Sequence, residues 1–342
     1  MSSSTKKRAK RGSSLLKRLA MILYMVLFAL SLVVVVGFVA LKVFAPAPNV
    51  EGQVTIRPND PEGSVPPPAL SADPDSSAEP TPTPLVLTRR DGVYTCLLLG
   101  VADQGGTDTI MLGVFDTGKK TASLISIPRD TVVYYNGKYQ KVNATYAGGE
   151  EAVVEAVKDL LGIPVDFWMS VNLRAFEDIV NYIGGVYFDV PVRMDYKDPY
   201  QDLVIDIQPG YQLLDGKKAV GVMRCRNCYI NADIGRTATQ RAFLTALVKQ
   251  TITPSNANKV AALIDTFSRY VNTNMSLGDM VHFGTQAIGM DLDTALTTGS
   301  LEGEWISPYW QLDDEAVLAL VNSLGLYQEE VPARALHIVH PK

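Results

Sequence analysis

Histidine and cysteine are scarce in this chain of 342 residues, which contains three of each. The histidines, His282, His337 and His340, lie late in the chain and argue against a histidine-dependent triad or a histidine-rich zinc site. No Gly-x-Ser-x-Gly, Walker loop or His-Glu-x-x-His motif occurs. So few cysteines also exclude a small fold stapled by disulfides. Any chemistry is therefore expected from aspartate and arginine.

The chain has no excess of positive charge. Its 31 basic and 36 acidic side chains give a net charge of -5, which argues against a wholly basic nucleic-acid-binding protein. A hydrophobic content of 47% excludes a mainly disordered chain. The charge is nevertheless divided: residues 1–18 contain seven Lys or Arg and no acid, so the other 324 residues carry a net charge of -12.

An uncharged apolar run follows the basic cluster directly. Leu19 to Leu41 comprises 23 residues without a charged side chain. At a rise of about 1.5 Å per residue this run crosses a hydrocarbon core of about 30 Å. We predict a transmembrane helix over 19–44, with residues 1–18 in the cytoplasm and the rest of the chain outside. The alternative is a cleaved signal peptide, whose apolar region is usually shorter, about 7 to 15 residues.

Proline is concentrated just after this run. Residues 46–84 contain 11 of the 20 prolines, mixed with Ser, Asp, Glu and Ala. Such a composition does not form a core and favours a semi-stiff chain of polyproline type. We therefore predict an extended tether over 45–90 that holds a domain away from the membrane.

Short apolar runs alternate with helical patterns from about Arg90 onward. Strands are predicted over 94–99, 109–115, 122–127, 167–171 and 186–190. Helices are predicted over 149–161, 173–183, 236–251, 256–271, 277–288 and 313–324. The order predicts an α/β fold with a mixed central sheet and helices on both faces. It forms one domain over 91–326, with a C-terminal tail over 327–342.

Two aspartates lie in a glycine-rich turn between the first two of these strands. Asp103 and Asp108 fall within residues 100–109, GVADQGGTDT. Carboxylates at strand ends bind hard divalent cations through oxygen. The alternative is a hairpin turn in which Asp and Gly only satisfy the turn geometry.

Arginines form two further groups. Arg129 follows a strand that ends at Pro128, where its guanidinium either binds phosphate in bidentate fashion or forms a surface ion pair with Asp130. The second group lies within 18 residues of an otherwise acidic region and comprises Arg224, Arg226, Arg236 and Arg241. We expect Arg224 and Arg226 to project the same way from an extended strand. The cluster favours a local anion site over a solvated helix face paired with acids.

Acids for a metal and arginines for phosphate oxygens together describe a site for a pyrophosphate and its Mg²⁺. The predicted topology places this site outside the cell, where ATP is scarce. We therefore expect a lipid-linked pyrophosphate as substrate instead of a soluble nucleotide.

Six short motifs resemble, in their order, those of the LytR-CpsA-Psr family. They are Leu97-Leu98-Leu99-Gly100, Thr107-Asp108-Thr109-Ile110-Met111-Leu112, Ser126-Ile127-Pro128-Arg129-Asp130-Thr131, Lys141-Val142-Asn143-Ala144, Ile183-Gly184-Gly185-Val186 and Asp233-Ile234-Gly235-Arg236. The resemblance covers about residues 91–325. It implies a single-pass membrane phosphotransferase with an extracytoplasmic domain, which moves a glycopolymer from a polyprenyl-pyrophosphate carrier to peptidoglycan.

The resemblance also implies roles for individual residues. Asp108 matches a metal-binding aspartate, and Asp103 is expected to supply the second Mg²⁺ ligand. The pyrophosphate ligands are expected to be Arg129, Arg224, Arg226, Arg236 and Gln240. Asp233 is expected to orient Arg236 or to take the proton from the attacking sugar hydroxyl. The lipid tail is expected to enter between the sheet and the helices.

Two positions depart from the family pattern. The usual Gly-x-Asp of the first loop has Ala102 at the aspartate position, and Thr239 replaces an arginine of the later motif. Arg241 is two residues further on and points about 200° away on a helix. These departures keep two alternatives open: a weakened protein that binds the lipid or glycopolymer without turnover, and a pyrophosphatase acting on the same lipid. A nucleic-acid partner is not expected, because the basic tail is too short for a DNA-binding fold.

Cysteine and aromatic residues give further expectations. Cys225 and Cys228 form a lone Cys-x-x-Cys among the arginines, which is compatible with a disulfide, a redox pair or two buried thiols. Cys96 is expected in the core of a strand. Trp168 and Tyr187 are expected to be core aromatic residues.

Overall fold

Strands and helices alternate along the chain. The computed structural model describes residues 46–56, 84–102, 105–198, 203–225, 227–229, 232–253, 269–288 and 290–341. The strands are β1 Gln53–Ile56, β2 Leu85–Thr88, β3 Val93–Val101, β4 Thr107–Asp116, β5 Thr121–Ser126, β6 Val132–Tyr135, β7 Lys138–Lys141, β8 Phe167–Asn172, β9 Val186–Val190, β10 Met194–Asp198, β11 Leu203–Ile207, β12 Gly210–Leu214, β13 Asn272–Thr273, β14 Leu296–Ser300, β15 Gly303–Ile306 and β16 Tyr309–Leu312. The helices are α1 Glu150–Leu161, α2 Leu173–Tyr182, α3 Gly216–Arg224, α4 Ala232–Thr251, α5 Leu277–Ala287, α6 Leu292–Ala295 and α7 Asp314–Ser323.

Six strands form a mixed sheet in the order β13-β8-β3-β4-β5-β14. Strands β3, β4 and β5 form an antiparallel meander, while β8 pairs parallel with β3 and β14 pairs parallel with β5. The predicted α/β fold with a mixed central sheet is therefore confirmed. The predicted strands each match a strand of the structure, and α1, α2, α4, α5 and α7 begin and end within a few residues of the predicted limits, whereas α3 and α6 were not predicted. Most of the helix predicted over 256–271 lies outside the described residues.

One face of this sheet packs on the larger hydrophobic core. Alternate residues of β3 and β4 point into it, among them Leu97, Leu99 and Leu112. Helix α1 covers this face with Val153, Val157 and other buried residues, and α7 contributes Val317 and Val321. A second cluster surrounds Phe243 of α4 and includes residues of β9, β11 and α3.

The predicted linker contains two ordered strands. Strand β1 pairs antiparallel with β2, and Ile56 and Leu87 are buried in the larger core. The interpretation of 45–90 as an extended tether is therefore wrong at its two ends. Apolar and polar residues alternate in QVTI, and in LVLT the buried Leu87 lies between the exposed Val86 and the half-buried Thr88, which suits a half-buried pair of strands. Residues 57–83, between these strands, lie outside the described part of the chain.

The C-terminal segment also packs on the larger core. Tyr327, Val331, Ala335, Leu336 and Ile338 are buried there. The hydroxyl of Tyr327 donates to the carbonyl of Gly162 at 3.0 Å, and the amide of His337 donates to that of Leu160 at 3.2 Å. Segment 327–342, predicted as a tail, thus contributes to the same core as residues before it.

Two aromatic predictions have different outcomes. Tyr187 is 51% exposed and stacks on Tyr211, so its prediction as a core residue is wrong. It lies on the outward face of β9, whose alternate residues Val186 and Phe188 point inward. Trp168 is half-buried against the larger core, and its indole N–H donates to Glu151 at 2.7 Å.

The predicted transmembrane helix lies outside the described residues. Among the helices those residues form, none is both long enough and apolar enough to cross a membrane. The membrane anchor stays a prediction from the sequence.

Candidate active site

A cavity of about 1260 Å³ lies between the second face of the central sheet and helices α4 and α5. The sheet contributes mostly apolar side chains to its wall, among them Leu98, Phe115, Phe167 and Met169. The helices contribute Leu244, Val248, Met280 and Phe283. This volume exceeds that of common small-molecule pockets, which are about 300 to 1,000 Å³, so the cavity suits a long apolar ligand.

Small residues at the centre of the sheet make room for this cavity. Cys96 of β3 pairs with Gly113 of β4, and both line the wall. A Cβ atom added at Gly113 would meet nothing closer than the carbonyl oxygen of Cys96, at 3.4 Å. A larger side chain at this position would therefore extend into the cavity without a backbone clash.

Cys96 faces this cavity, and not the closed core that we expected for it. Burial raises the pKa of its thiol to about 12, and the charge of Asp166 adds to the effect. The thiol is thus protonated at neutral pH, although only the thiolate is a good nucleophile.

We predict that Cys96 resists alkylation in the folded chain. Because Cys225 and Cys228 are paired, Cys96 is the one free thiol among the three cysteines. N-ethylmaleimide labelling without reductant, followed by mass spectrometry at pH 7 to 9, is expected to be at least about 100-fold slower than labelling of a thiol with the ordinary pKa of about 8.5. Unfolding in guanidinium should restore the ordinary rate. Labelling of the folded chain as fast as that of a free cysteine peptide would contradict the prediction.

The apolar cavity ends at a cluster of polar side chains. Asp108, Arg224, Asn227, Arg236 and Gln240 all line this part of the wall. Arg236 is only 2% exposed. Two guanidinium groups at the end of an apolar cavity suit a ligand that has a long hydrocarbon part and an anionic head.

Arg129 lies beside this polar end. Its guanidinium forms an ion pair with the carboxylate of Asp108, and its Nε lies 3.6 Å from the carboxylate of Asp130. Asp130 in turn pairs with the Nζ of Lys141 at 2.8 Å. The structure therefore brings together Arg129 and Asp108, whose link was not evident from their separate motifs.

Backbone hydrogen bonds hold the loop that contains Arg129. The amide of Thr131 donates to the carbonyl of Pro128 at 2.9 Å and closes a turn around Arg129. The amides of Asn143 and Val142 donate to the carbonyls of Arg129 and Thr131, at 3.1 and 2.8 Å. The motif that begins at Lys141 thus positions the arginine motif.

Arg224 does not lie on an extended strand, so that expectation is wrong. It is the last residue of α3, which Asp215 caps by accepting from the amide of Lys218 at 2.8 Å. Ala219 and Val222 are buried and give this segment a helical pattern. A cation at the C-terminal end of a helix is also stabilised by the helix dipole.

Arg236 and Gln240 lie one turn apart on α4. The helix begins at Ala232, so Arg236 lies in its second turn, deeper than we expected. The side-chain amide of Gln240 donates to the carbonyl of Met223 at 2.9 Å. Gln240 therefore ties α4 to the end of α3 where Arg224 is found, a positioning contact in addition to the predicted ligand role.

The structure explains the two residues at the departure from the family motif. Thr239 is buried, and its hydroxyl donates back to the carbonyl of Gly235 at 3.0 Å. Arg241 points away from Thr239 on helix α4, as predicted, and its guanidinium donates to the hydroxyl oxygen of Ser126 at 3.1 Å. Burial lowers the pKa of Arg241, so this guanidinium is partly desolvated.

Cys225 and Cys228 form a disulfide, one of the alternatives that the spacing allowed. It closes the turn between α3 and α4, directly after Arg224. Three predicted site features lie outside the described part: Asp103, Arg226 and the side chain of Asp233. Their roles stay predictions.

The side chains at the polar end of the cavity suit Mg²⁺ only in a site where the substrate supplies some of the ligands. Within the described ranges, no three His, Cys, Asp or Glu side chains are grouped closely enough to hold a metal ion. Mg²⁺ commonly binds through one or two carboxylates together with substrate phosphates and water. The carboxylate of Asp108 at the cavity mouth fits that arrangement once a pyrophosphate supplies further oxygens.

The model of the LytR_cpsA_psr family matches residues 70–324. The chain belongs to the LytR_cpsA_psr family. The resemblance indicated by the six sequence motifs is thereby confirmed. The match includes Asp108, Arg129, Arg224, Arg236 and Gln240, so the whole described site falls within the family region.

Two curated relatives in the LytR_cpsA_psr family come from Bacillus subtilis (strain 168). The polyisoprenyl-teichoic acid-peptidoglycan teichoic acid transferase TagV is 30% identical over 291 residues, which cover 81% of this chain and 70% of TagV. The transferase of the same description called TagT is 32% identical over 203 residues, which cover 55% of this chain and 62% of TagT. The chain thus spans less than two thirds of TagT.

Solved structures of the LytR_cpsA_psr family share the fold. The crystal structure of B. subtilis TagV matches with a TM-score of 0.61 and 26% identity, covering 69% of this chain and 96% of that one. A structure of TagT bound to LIIa-WTA matches with a TM-score of 0.57 and 26% identity, covering 68% of this chain and 90% of that one.

Sequence reasoning missed two residues of the site region. Asn227 lies in the turn closed by the disulfide and lines the cavity, and Lys141 pairs with the residue that follows Arg129. The disulfide spacing pointed to a fixed turn around Asn227. For Lys141 the signal was its position at the start of a family motif. We used that motif for the resemblance only and predicted no role for Lys141 itself.

Proposed function

We propose that this chain is a membrane-anchored, extracytoplasmic phosphotransferase. It moves a glycopolymer from a polyprenyl-pyrophosphate carrier to peptidoglycan. The observation that carries the proposal is the apolar cavity of about 1260 Å³ that ends at Asp108, Arg224 and Arg236. The relatives named as polyisoprenyl-teichoic acid-peptidoglycan teichoic acid transferases support the same reaction class.

Polarity suggests how such a substrate lies in the site. A polyprenyl chain is apolar and suits the wall formed by Leu98, Met169 and Phe283. Its pyrophosphate then reaches the polar end, where arginine side chains form charge-assisted hydrogen bonds to phosphate oxygens. The glycopolymer, attached to the far side of the pyrophosphate, extends out of the cavity.

The transfer is a displacement at phosphorus. A hydroxyl group of the peptidoglycan acceptor attacks the phosphorus that bears the glycopolymer, and the bond from that phosphorus to the polyprenyl phosphate breaks. The departing phosphate takes the electron pair, while the hydroxyl proton passes to a base, for which Asp233 is the candidate. Arg129, Arg224 and Arg236 offset the negative charge that develops on the phosphoryl oxygens.

Magnesium belongs to this proposal as a bound cofactor. Asp108 would hold it together with pyrophosphate oxygens, with Asp103 as the predicted second carboxylate. When bound, the ion neutralises phosphate charge and orients the pyrophosphate.

Blocking the cavity tests the proposal. We predict that the full-length chain extracted from its membrane contains a polyprenyl pyrophosphate that mass spectrometry detects. Gly113→Leu should reduce the amount at least about tenfold, because its side chain occupies the space of the lipid tail. An added Cβ at Gly113 meets no atom closer than 3.4 Å, so the variant is expected to fold.

Gly52→Leu is the matched control for this variant. Gly52 is exposed, and a Cβ added there meets nothing within 4 Å. This variant should retain the lipid of the parent chain. Absence of any polyprenyl lipid from the parent, or an equal amount in Gly113→Leu, would count against the proposed substrate.

Binding without turnover is the second candidate function. It is favoured by Thr239, which stands where an arginine is expected and whose hydroxyl donates to its own helix. A bound polyprenyl pyrophosphate in a chain that transfers no glycopolymer would support this candidate. Release of free phosphorylated polymer would instead indicate a pyrophosphatase.

A further inference from the structure

Large apolar side chains are exposed on two hairpins next to Arg129. Trp305 is 54% exposed, Tyr139 46% and Ile306 44%. The hydroxyl of Tyr309 lies 3.5 Å from the carbonyl of Tyr139 and links the β15-β16 hairpin to the β6-β7 hairpin. We call Tyr139, Trp305, Ile306 and Tyr309 the aromatic patch. Exposed apolar patches of this kind mark interaction sites.

A continuous series of contacts joins the aromatic patch to the candidate active site. Asp108, on the cavity wall, pairs with Arg129, whose Nε lies 3.6 Å from Asp130. The Nζ of Lys141 lies 2.8 Å from Asp130 and 5.5 Å from the ring centroid of Trp305. Four charged side chains therefore connect the patch to the polar end of the cavity.

The backbone fixes the patch relative to the arginine loop. The amide of Trp310, on β16, donates to the carbonyl of Asp130 at 2.9 Å. Thr131 forms a parallel β-bridge with Trp310 as well. The hairpin that presents Trp305 is thus attached to the loop that presents Arg129.

The chemistry of the patch suits a saccharide. The C–H groups of a sugar ring pack against the electron-rich face of an aromatic side chain. Its hydroxyl groups find hydrogen-bonding partners in Lys141, which contacts Trp305, and in Asp130, which pairs with Lys141. The residues described as lining the cavity do not include the patch, so a lipid tail held in the cavity does not occupy it.

We propose that the aromatic patch binds the acceptor glycan chain of peptidoglycan. This inference rests on the proposed function. In a displacement at phosphorus, the attacking and departing oxygens lie roughly in line. The departing polyprenyl phosphate lies in the cavity, so the acceptor approaches from outside it, where the patch is situated.

Oligosaccharide binding tests the patch without any transfer reaction. The probe is chitotetraose, a chain of four β-1,4-linked N-acetylglucosamine residues, titrated calorimetrically into the full-length chain. Trp305→Ala should weaken binding at least about tenfold, because truncated aromatic anchors lose most of their contact. Trp305→Tyr should retain much of the affinity. Tyr211→Ala is the matched control, because Tyr211 is 73% exposed and lies on the β9-β12 ribbon, whose buried residues belong to the second core cluster and not to the aromatic patch.

Transfer kinetics then separate this inference from the proposed function. Trp305→Ala should raise the KM for the peptidoglycan acceptor at least about tenfold and leave the KM for the lipid-linked donor unchanged. If the chain transfers no glycopolymer but Trp305 still governs chitotetraose binding, the inference stands and the proposed function falls. If Trp305→Ala leaves chitotetraose binding and acceptor KM unchanged, the inference is overturned. If Trp305→Ala lost binding to phosphatidylglycerol vesicles but kept chitotetraose binding, the patch would be a membrane contact and the inference would be overturned as well.

Discussion

Arg129→Ala is expected to abolish most glycopolymer transfer while the chain stays folded. Removing one preorganised donor from a developing oxyanion lowers rate constants by about 10² to 10³-fold. Arg129 is placed for that role by its ion pair with Asp108 at the cavity mouth and by the backbone bonds that hold its loop. The measurement is transfer from a polyprenyl-pyrophosphate-linked glycopolymer to isolated peptidoglycan.

Two further variants sharpen this prediction. Arg129→Lys should recover only part of the activity, because lysine keeps the charge but not the planar fork of donors. Arg193→Ala is the matched control, since Arg193 also forms an ion pair, with Asp206 at 2.6 Å, but does not line the cavity. Parental activity in Arg129→Ala would remove this residue from the mechanism. A similar loss in Arg193→Ala would indicate a general effect on the fold.

The sequence predicts the four inner strands of the sheet, β8, β3, β4 and β5, because they are apolar whichever surface they face, whereas the polar edge strands β13 and β14 were not predicted. Within the run from Tyr94 to Leu99, Leu97 points into the core while Cys96 and Leu98 line the cavity. A closed core and a cavity for an apolar ligand require the same kind of side chain. Hydrophobicity therefore predicts the strand but not the cavity.

Segments that depend on distant partners were predicted less well. Arg224 was placed on a strand because its short neighbourhood is compatible with one, whereas the cap at Asp215 and packing around Ala219 make it helical. The ends of the linker and residues after Tyr327 pack on a core formed by other parts of the chain. Strands of only four residues within a proline-rich segment are too short to be predicted from their own pattern.

In the candidate site, too, the residues were predicted but their contacts were not. The motifs named Asp108 and Arg129 separately, and their separate positions did not show that the two side chains touch. The contact between Lys141 and Trp305 joins a motif to a residue far along the chain that no motif includes. Residue types were thus predictable from spacing, while their neighbours required the fold.

The second large effect is expected at the buried ion pair between Arg89 and Asp166. The two nitrogens Nη1 and Nη2 of Arg89 donate to the two carboxylate oxygens of Asp166 at 2.6 and 2.8 Å. The amide of Thr95 also donates to Asp166, at 2.8 Å, and Arg89 donates to the carbonyl of Val93 at 2.7 Å. Both charged side chains are at most 7% exposed. The pair therefore ties β3 to the segment before β8.

Arg89→Ala is expected to lower the free energy of unfolding by about 3 to 5 kcal/mol, because it leaves the carboxylate of Asp166 buried without its counter-charge. The measurement is guanidinium-induced unfolding of the full-length chain. The exposed pair Arg193–Asp206 offers a matched comparison, and Arg193→Ala should change the same quantity by about 0 to 1 kcal/mol. The double replacement Arg89→Met with Asp166→Leu should be less destabilising than Arg89→Ala, since it removes both charges. Equal effects of Arg89→Ala and Arg193→Ala would show that burial does not set the strength of these pairs.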